Sequence, residues 1–215
     1  MPKETFFNLN EEKQEKVLRS AIKEFLNNGF EKANIAVIAK NAEVAKGSIY
    51  QYFENKKELF IFSVQWTTST LINKYSKYLD VSGKDMNFFD YFHYSSKEIW
   101  SQLKEERDLV IFIQDVFLGK YKNIPDASLD YMLKASNEYT IKLIQDGKKN
   151  GHIRKDIDDK VLAIFMNAVS LRFKEYMMSN ARISGEDMVD EGFERIDKDL
   201  KDMLELLKNG MAPRD

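Results

Sequence analysis

The chain has 215 residues, 43% hydrophobic and 32% charged, the balance of a folded globular protein rather than a disordered one. It has no cysteine, which excludes disulfides, thiolate metal sites and thiol chemistry; three prolines and nine glycines leave few breaks and favour long helices. A net charge of −2 excludes a uniformly basic nucleic-acid binder, and residues 1–60, with ten Lys+Arg against nine Asp+Glu, carry only a slight basic bias.

The N-terminal MPKETFFNLNEEKQ lacks a basic segment followed by an apolar run, so no secretory signal is expected. No stretch approaches the ~18 apolar residues of a membrane span. A cytoplasmic protein with no membrane partner is the expectation. A first helix opens at Asn10, a good N-cap, with Glu11 and Glu12 where the helix dipole favours anions. Val17, Leu18, Ala21, Ile22, Phe25 and Leu26 recur at helical spacing and define one buried face. Gly29 suits a helix C-terminus, and Phe30 tucks back as an apolar plug.

A second helix starts with Asn34 as N-cap and buries Ile35, Ile38 and Ala39. Ala42-Glu43-Val44 makes a turn, and a third helix runs from about Ala45 to Tyr52 with Ile49 and Phe53 inward. Ala42, Val44 and Ile49 are small or branched, as two helices wedged at a steep angle require; this is a helix-turn-helix. The outer side then carries Lys46, Ser48, Gln51 and Tyr52, with Tyr50 at its edge. Lysine can donate to guanine O6 and N7, and glutamine can pair with adenine N6 and N7. Gly47 lets the helix backbone approach closely.

Residues 14–62 resemble the DNA-binding domain of the TetR/AcrR family of transcription regulators. The matching pieces are Val17-Leu18, Ala21, Phe25 and Gly29-Phe30; then Ile38-Ala39, Ala42 and Val44; then Lys46-Gly47-Ser48-Ile49-Tyr50, Tyr52-Phe53; then Asn55-Lys56 and Glu58-Leu59. The resemblance implies that Asn34 meets a phosphate, that Tyr50 and Tyr52 offer hydroxyls to phosphates and rings to a thymine methyl, and that Lys56 grips the backbone from the far side. Lys46 and Gln51 are the candidates for reading bases. Three positions depart from the family pattern. Asn34 stands where threonine is usual, Glu43 where glycine is usual, and Ala45 where serine often caps; losing that cap costs about 0.5–2 kcal/mol.

Beyond this domain, taken as residues 1–55, the remainder, 56–215, reads as an all-α ligand-binding and dimerisation body. A fourth helix runs from Asn55 or Lys56 to about Leu79. Breaks fall at Val81-Ser82-Gly83, Gly119 to Pro125, Gly147 to Gly151 and Ser184-Gly185. Helix-length blocks lie near 86–104, 107–118, 126–149, 156–180 and 186–209. The aromatic-rich blocks between 86 and 149 fit either plain core or a ligand cavity with a few polar anchors. The candidate ligand residues are Trp66, His93, Trp100, Gln114, Tyr139 and Asn167, with Asn137 and Arg172 as further polar groups.

Residues 161–177 are apolar on nearly every side at their start, so that helix must be buried on two faces. Val189, Phe193, Ile196, Leu200, Met203 and Leu207 are spaced 4, 3, 4, 3, 4, a coiled-coil seam. The two helices suggest a two-fold interface built from Phe165, Val169, Phe173, Phe193, Ile196, Leu200 and Met203, although such a seam can also close within one chain.

The expected function is a homodimeric repressor released from a palindromic double-stranded operator by a small-molecule effector. A protein of the same fold acting as an adaptor is the alternative. No enzyme, metal or cofactor is expected: the two histidines, His93 and His152, are far apart, and no catalytic motif is present. His152 sits in a glycine-flanked loop and reads as solvated. The carboxylates Glu186, Asp187, Asp190 and Glu191 read as a charged face.

Overall fold

The computed structural model describes residues 1–79, 86–121, 126–184, 189 and 192–211. Among these the chain is all-helical, with no strand. The helices are α1 (Glu4–Phe7), α2 (Glu11–Lys32), α3 (Ile35–Asn41), α4 (Lys46–Tyr52), α5 (Lys56–Ser76), α6 (Phe88–Gln102), α7 (Arg107–Phe117), α8 (Asp126–Lys149), α9 (Asp159–Ser184) and α10 (Glu194–Met211). Short 3-10 turns follow α5 at Lys77–Leu79 and α6 at Leu103–Glu106. The expected breaks at Val81-Ser82-Gly83 and at Gly185, the end of the break before Pro125, and the carboxylates Glu186, Asp187, Asp190 and Glu191 lie outside the described residues.

The chain folds as two compact units: residues 1–71 with 108–132, and residues 72–107 with 133–215. In the first unit, Asn10 accepts a hydrogen bond from the Lys13 N–H at 2.9 Å and so starts α2. Gly29, at φ +70° and ψ 171°, breaks the helix as expected, in a conformation open to glycine, and one further turn follows across that kink to Lys32. Phe30 plugs the core as expected: its ring lies 5.2 Å from Phe60, which in turn meets Phe25 at 4.9 Å and Phe112 at 5.4 Å. Each such buried ring contributes about 1.5–3 kcal/mol.

Helix α1 was not legible in the sequence, because four residues are too few to show a period. Its Phe6 is fully buried and meets Phe53 at 4.9 Å, Phe62 at 5.6 Å and Tyr52 at 5.9 Å.

The second unit is built on α6, α9 and α10 with Ile144 and Ile153. Gly147 lets Ile153 pack closely here: a Cβ would stand 2.6 Å from Ile153 Cδ1, so that side chain would have to shift. His152 is not a solvated loop residue. Its Nδ1 accepts the Phe88 N–H at 2.8 Å, while Asn87 Oδ1 accepts that of Phe89 at 2.9 Å, so two side chains satisfy the first amides of α6. Most of the heptad seam closes within the chain. Phe193, Ile196, Leu200 and Leu207 are buried in this unit's own core and Val189 is buried as well, whereas Met203 is half-buried and lines an open groove. Phe193, Ile196 and Leu200 are therefore corrected from interface to core residues, because α6 and the inner side of α9 already cover them.

Candidate nucleic-acid interface

Helices α3 and α4 pack through Ile38, Ala39 and Ala42 against Ile49, all buried with the α2 residues Val17, Leu18 and Ile22. The turn between them places Glu43 at φ +56°, and the Val44 N–H donates to Ala39 O at 2.9 Å. Glu43 occupies this left-handed position in spite of its Cβ, and its carboxylate pairs with Lys16 at 2.6 Å. The hydrogen bond and charge of Lys16 hold that carboxyl below its ordinary value. Ala45 caps α4 without a side-chain hydrogen bond, as its identity requires.

On the outer side, Lys46, Gly47, Tyr50 and Gln51 are exposed and Ser48 is half-buried. With Ile49 and Phe53 buried on the opposite side, these residues form one polar face. Tyr52 does not join it. It is buried, because Phe6 of α1 packs on its ring. The expected role of Tyr52 in contacting DNA is thus corrected to a core role.

The segment before α4's face was missed altogether. Lys3 Nζ donates to Tyr50 O at 2.9 Å, the Lys3 N–H donates to Tyr52 O at 2.8 Å, and Thr5 Oγ1 donates to Gln51 O. The last carbonyls of α4 are satisfied by this strap, and Lys3 adds a cation where the helix dipole is negative. The only sequence signal was the aromatic pair Phe6-Phe7 in a polar N-terminus.

Asn34 is exposed at the N-terminus of α3, and its side chain accepts the Ala36 N–H at 2.9 Å. The buried Glu24 holds it from behind: Glu24 Oε1 accepts the Asn34 N–H at 2.9 Å and the Asn28 amide at 3.0 Å. Lys56 holds the same link from α5. Its ammonium donates to Glu31 O at 2.7 Å and Ala33 O at 3.1 Å, and lies 5.3 Å from the Phe30 ring centre. Lys56 therefore braces the α2–α3 link, with at most one N–H left for a phosphate.

The candidate ligand residues divide between the two units. Trp66 and Gln114 belong to the first unit, where Trp66 carries Arg19 over its ring at 5.7 Å and Gln114 is buried. His93, Trp100, Tyr139 and Asn167 belong to the second. There His93 Nε2 meets Asp197 at 2.8 Å, and Trp100 packs on Phe193 at 6.1 Å. Asn167 accepts from Thr140 at 2.6 Å and donates to Asn137 at 3.0 Å, while Tyr139 is half-buried on α8. Arg172 pairs with Glu175 on the surface. Among the described residues no cluster of His, Cys, Asp or Glu could hold a metal ion, and no helix is long and apolar enough to cross a membrane.

Two helices at a turn, a polar outer face and an apolar inner one define a helix-turn-helix protein. Residues 17–61 match the profile of the bacterial regulatory proteins of the tetR family. Over 44 residues the chain is 43% identical to the uncharacterized HTH-type transcriptional regulator YhgD of Bacillus subtilis (strain 168), a match that spans 20% of this chain and 23% of that protein. Its fold is similar to that of a putative TetR-family transcriptional regulator from Mesorhizobium loti MAFF303099, with a TM-score of 0.73 at 16% identity over 94% of this chain and 98% of the other. The transcriptional regulator FadR from Bacillus subtilis, solved in complex with stearoyl-CoA, is similar with a TM-score of 0.64 at 19% identity over 91% and 98%. The chain thus carries a tetR-type helix-turn-helix segment at residues 17–61, and its fold as a whole is similar to those of these solved regulators.

Proposed function

We propose that this regulator binds a palindromic operator as a homodimer and is released from it by a small molecule. Residues 1–55 read DNA, and residues 56–215 bind the effector and pair the two copies. The observation that carries the DNA reading is the outer face of α4, where Lys46, Tyr50 and Gln51 are exposed on a helix whose inner side is fully packed. Lys46 and Gln51 read base edges; Asn34, Ser48 and Tyr50 contact phosphates, and Gly47 permits the approach.

The pairing rests on a second surface. On α9, Val161, Ile164, Phe165, Leu171 and Tyr176 are exposed, and Leu206 of α10 is 73% exposed. An open groove of about 740 Å³ lies beside them, lined by residues including Val169, Phe173 and Met203. An apolar surface of this kind on a soluble chain marks an interaction site, and self-pairing by a two-fold axis covers it with itself. Such an axis would set two α4 helices one DNA turn apart, about 34–36 Å.

The effector reading takes its support from the family and from the FadR neighbour, a fold relative whose own structure holds stearoyl-CoA. Selection of binding sites from a random duplex pool, followed by titration, tests the proposal. A palindrome bound with two chains per duplex is expected. Binding with no sequence preference overturns the reading in favour of an adaptor.

A further inference from the structure

We propose that Lys3 and Thr5, which lie outside the helix-turn-helix, are positioning residues for sequence selectivity: they hold the end of α4 so that Tyr50 and Gln51 meet the operator in one geometry. This rests on the DNA-binding reading above and names two further residues that its selectivity needs.

Helix α4 has little hold on itself. It spans seven residues, Lys46–Tyr52, and a helix that short is not stable from its own hydrogen bonds. Ala45 gives its start no side-chain cap, and only Ile49 and Tyr52 are buried. At the other end Phe53 is extended, with φ −130° and ψ 141°, and its N–H donates to Ile49 O at 2.8 Å. The carbonyls of Tyr50, Gln51 and Tyr52 are then left beyond the last helical bond. The Glu54 N–H, which a longer helix would give to Tyr50 O, donates instead to Glu58 Oε2 at 2.7 Å.

Residues 3 and 5 supply one donor to each of these carbonyls. Lys3 Nζ donates to Tyr50 O at 2.9 Å, the Thr5 hydroxyl to Gln51 O, and the Lys3 N–H to Tyr52 O at 2.8 Å. Two of the carbonyls belong to Tyr50 and Gln51 themselves. A bond to a residue's own carbonyl fixes the backbone from which its side chain leaves. The bidentate pairing of a glutamine with an adenine edge depends on that direction.

The donors are fixed in turn. The buried Phe6 of α1 meets Phe53 at 4.9 Å and Phe62 at 5.6 Å. Lys3 O accepts the Phe6 N–H at 2.9 Å, and Gln14 of α2 donates to Leu9 O at 2.8 Å just beyond α1. The strap is thus anchored in the core on one side and bonded to the reader on the other. Phe6 is a core residue, whereas Lys3 and Thr5 are exposed. Replacing either of the exposed pair removes bonds to α4 without opening a cavity. Thr5 is also uncharged, so its loss removes no phosphate-binding cation.

The test uses the full chain, an operator selected from a random duplex pool, and a scrambled duplex of the same composition. Thr5→Val and Lys3→Ala are expected to bind the operator about three- to tenfold more weakly than wild type. Thr5→Val should bind the scrambled duplex as wild type does, with an unchanged salt slope, because it removes no charge. Thr5→Ser restores the hydroxyl and should restore operator affinity. Four results would overturn the proposal: Thr5→Val binding the operator as wild type does, equal losses on both duplexes, no recovery in Thr5→Ser, or a Lys3→Ala loss that is equal on both duplexes with a salt slope lower by about one, the mark of a phosphate contact. Any of these, with a wild type that selects its operator, sinks this proposal alone. A wild type without sequence preference sinks the DNA-binding reading, and this proposal with it.

Discussion

Glu24, in the middle of α2, accepts the backbone N–H of Asn34 at 2.9 Å with its carboxylate almost wholly buried. One residue of the scaffold therefore sets where α3 begins. Replacing Glu24 with Ala should lower stability by about 1–3 kcal/mol, the range for a lost charge-assisted hydrogen bond. It should also weaken operator binding. Glu24→Gln keeps an acceptor oxygen and should recover most of both. Chemical denaturation and fluorescence anisotropy check the pair. If Glu24→Ala bound DNA as wild type does, Asn34 would not depend on this anchor.

Lys46 and Lys56 should separate under salt. Lys46 is exposed at the start of α4, and Lys46→Ala should cost about 1–3 kcal/mol on the preferred operator and relax selectivity at one base pair. Lys56 mainly holds Glu31 and Ala33 carbonyls. Lys56→Ala should lower Tm and weaken binding on all sequences, and lower the magnitude of the log K against log salt slope by about one or less. Titrations across a salt series measure this.

Glu43→Gly should raise Tm by a few degrees. Glu43 sits at φ +56°, where an L side chain is strained and glycine is not. The Lys16 pair that the change removes is exposed and contributes little. A thermal melt that shows no gain, or a loss, would mean that the turn tolerates Glu43 without strain.

Substitutions on the two sides of the C-terminal helices should give opposite phenotypes. Ile164 is 69% exposed, so Ile164→Glu should yield a folded monomer that binds DNA weakly. Leu200 is buried in its own unit, so Leu200→Ala should cost about 2–5 kcal/mol of stability. Sedimentation and denaturation distinguish them; an Ile164→Glu protein that remained dimeric would move the interface elsewhere.

Asp159 opens α9, and its carboxyl is held below its ordinary value by a hydrogen bond from Lys148 at 2.6 Å, with Gln145 and the Lys148 charge adding to it. A depressed folded-state pKa stabilises above the unfolded value and is lost as pH falls through the folded one. Asp159→Asn should therefore lower stability at neutral pH and flatten the loss of stability on the acid side. Parallel melts from neutral to acid pH measure this.

The sequence by itself determined the helices around the reader. The apolar period of α2, the caps Asn10 and Asn34, and the inward Ile49 are local signals, each readable within a few residues. Long periodic blocks likewise marked α5 through α10. What only the tertiary structure decided were relations between residues distant in the chain. Period alone could not tell that Phe6 lies on Tyr52 and takes it out of the polar face. Nor could it tell that Lys56 reaches back to Glu31 and Ala33, or that His152 caps α6. The heptad of α10 shows the same limit. An apolar seam is defined by spacing, but whether it meets its own chain or another depends on what is already packed there. Here α6 and α9 reach Phe193, Ile196 and Leu200 first, and the surface left uncovered is the other side of α9.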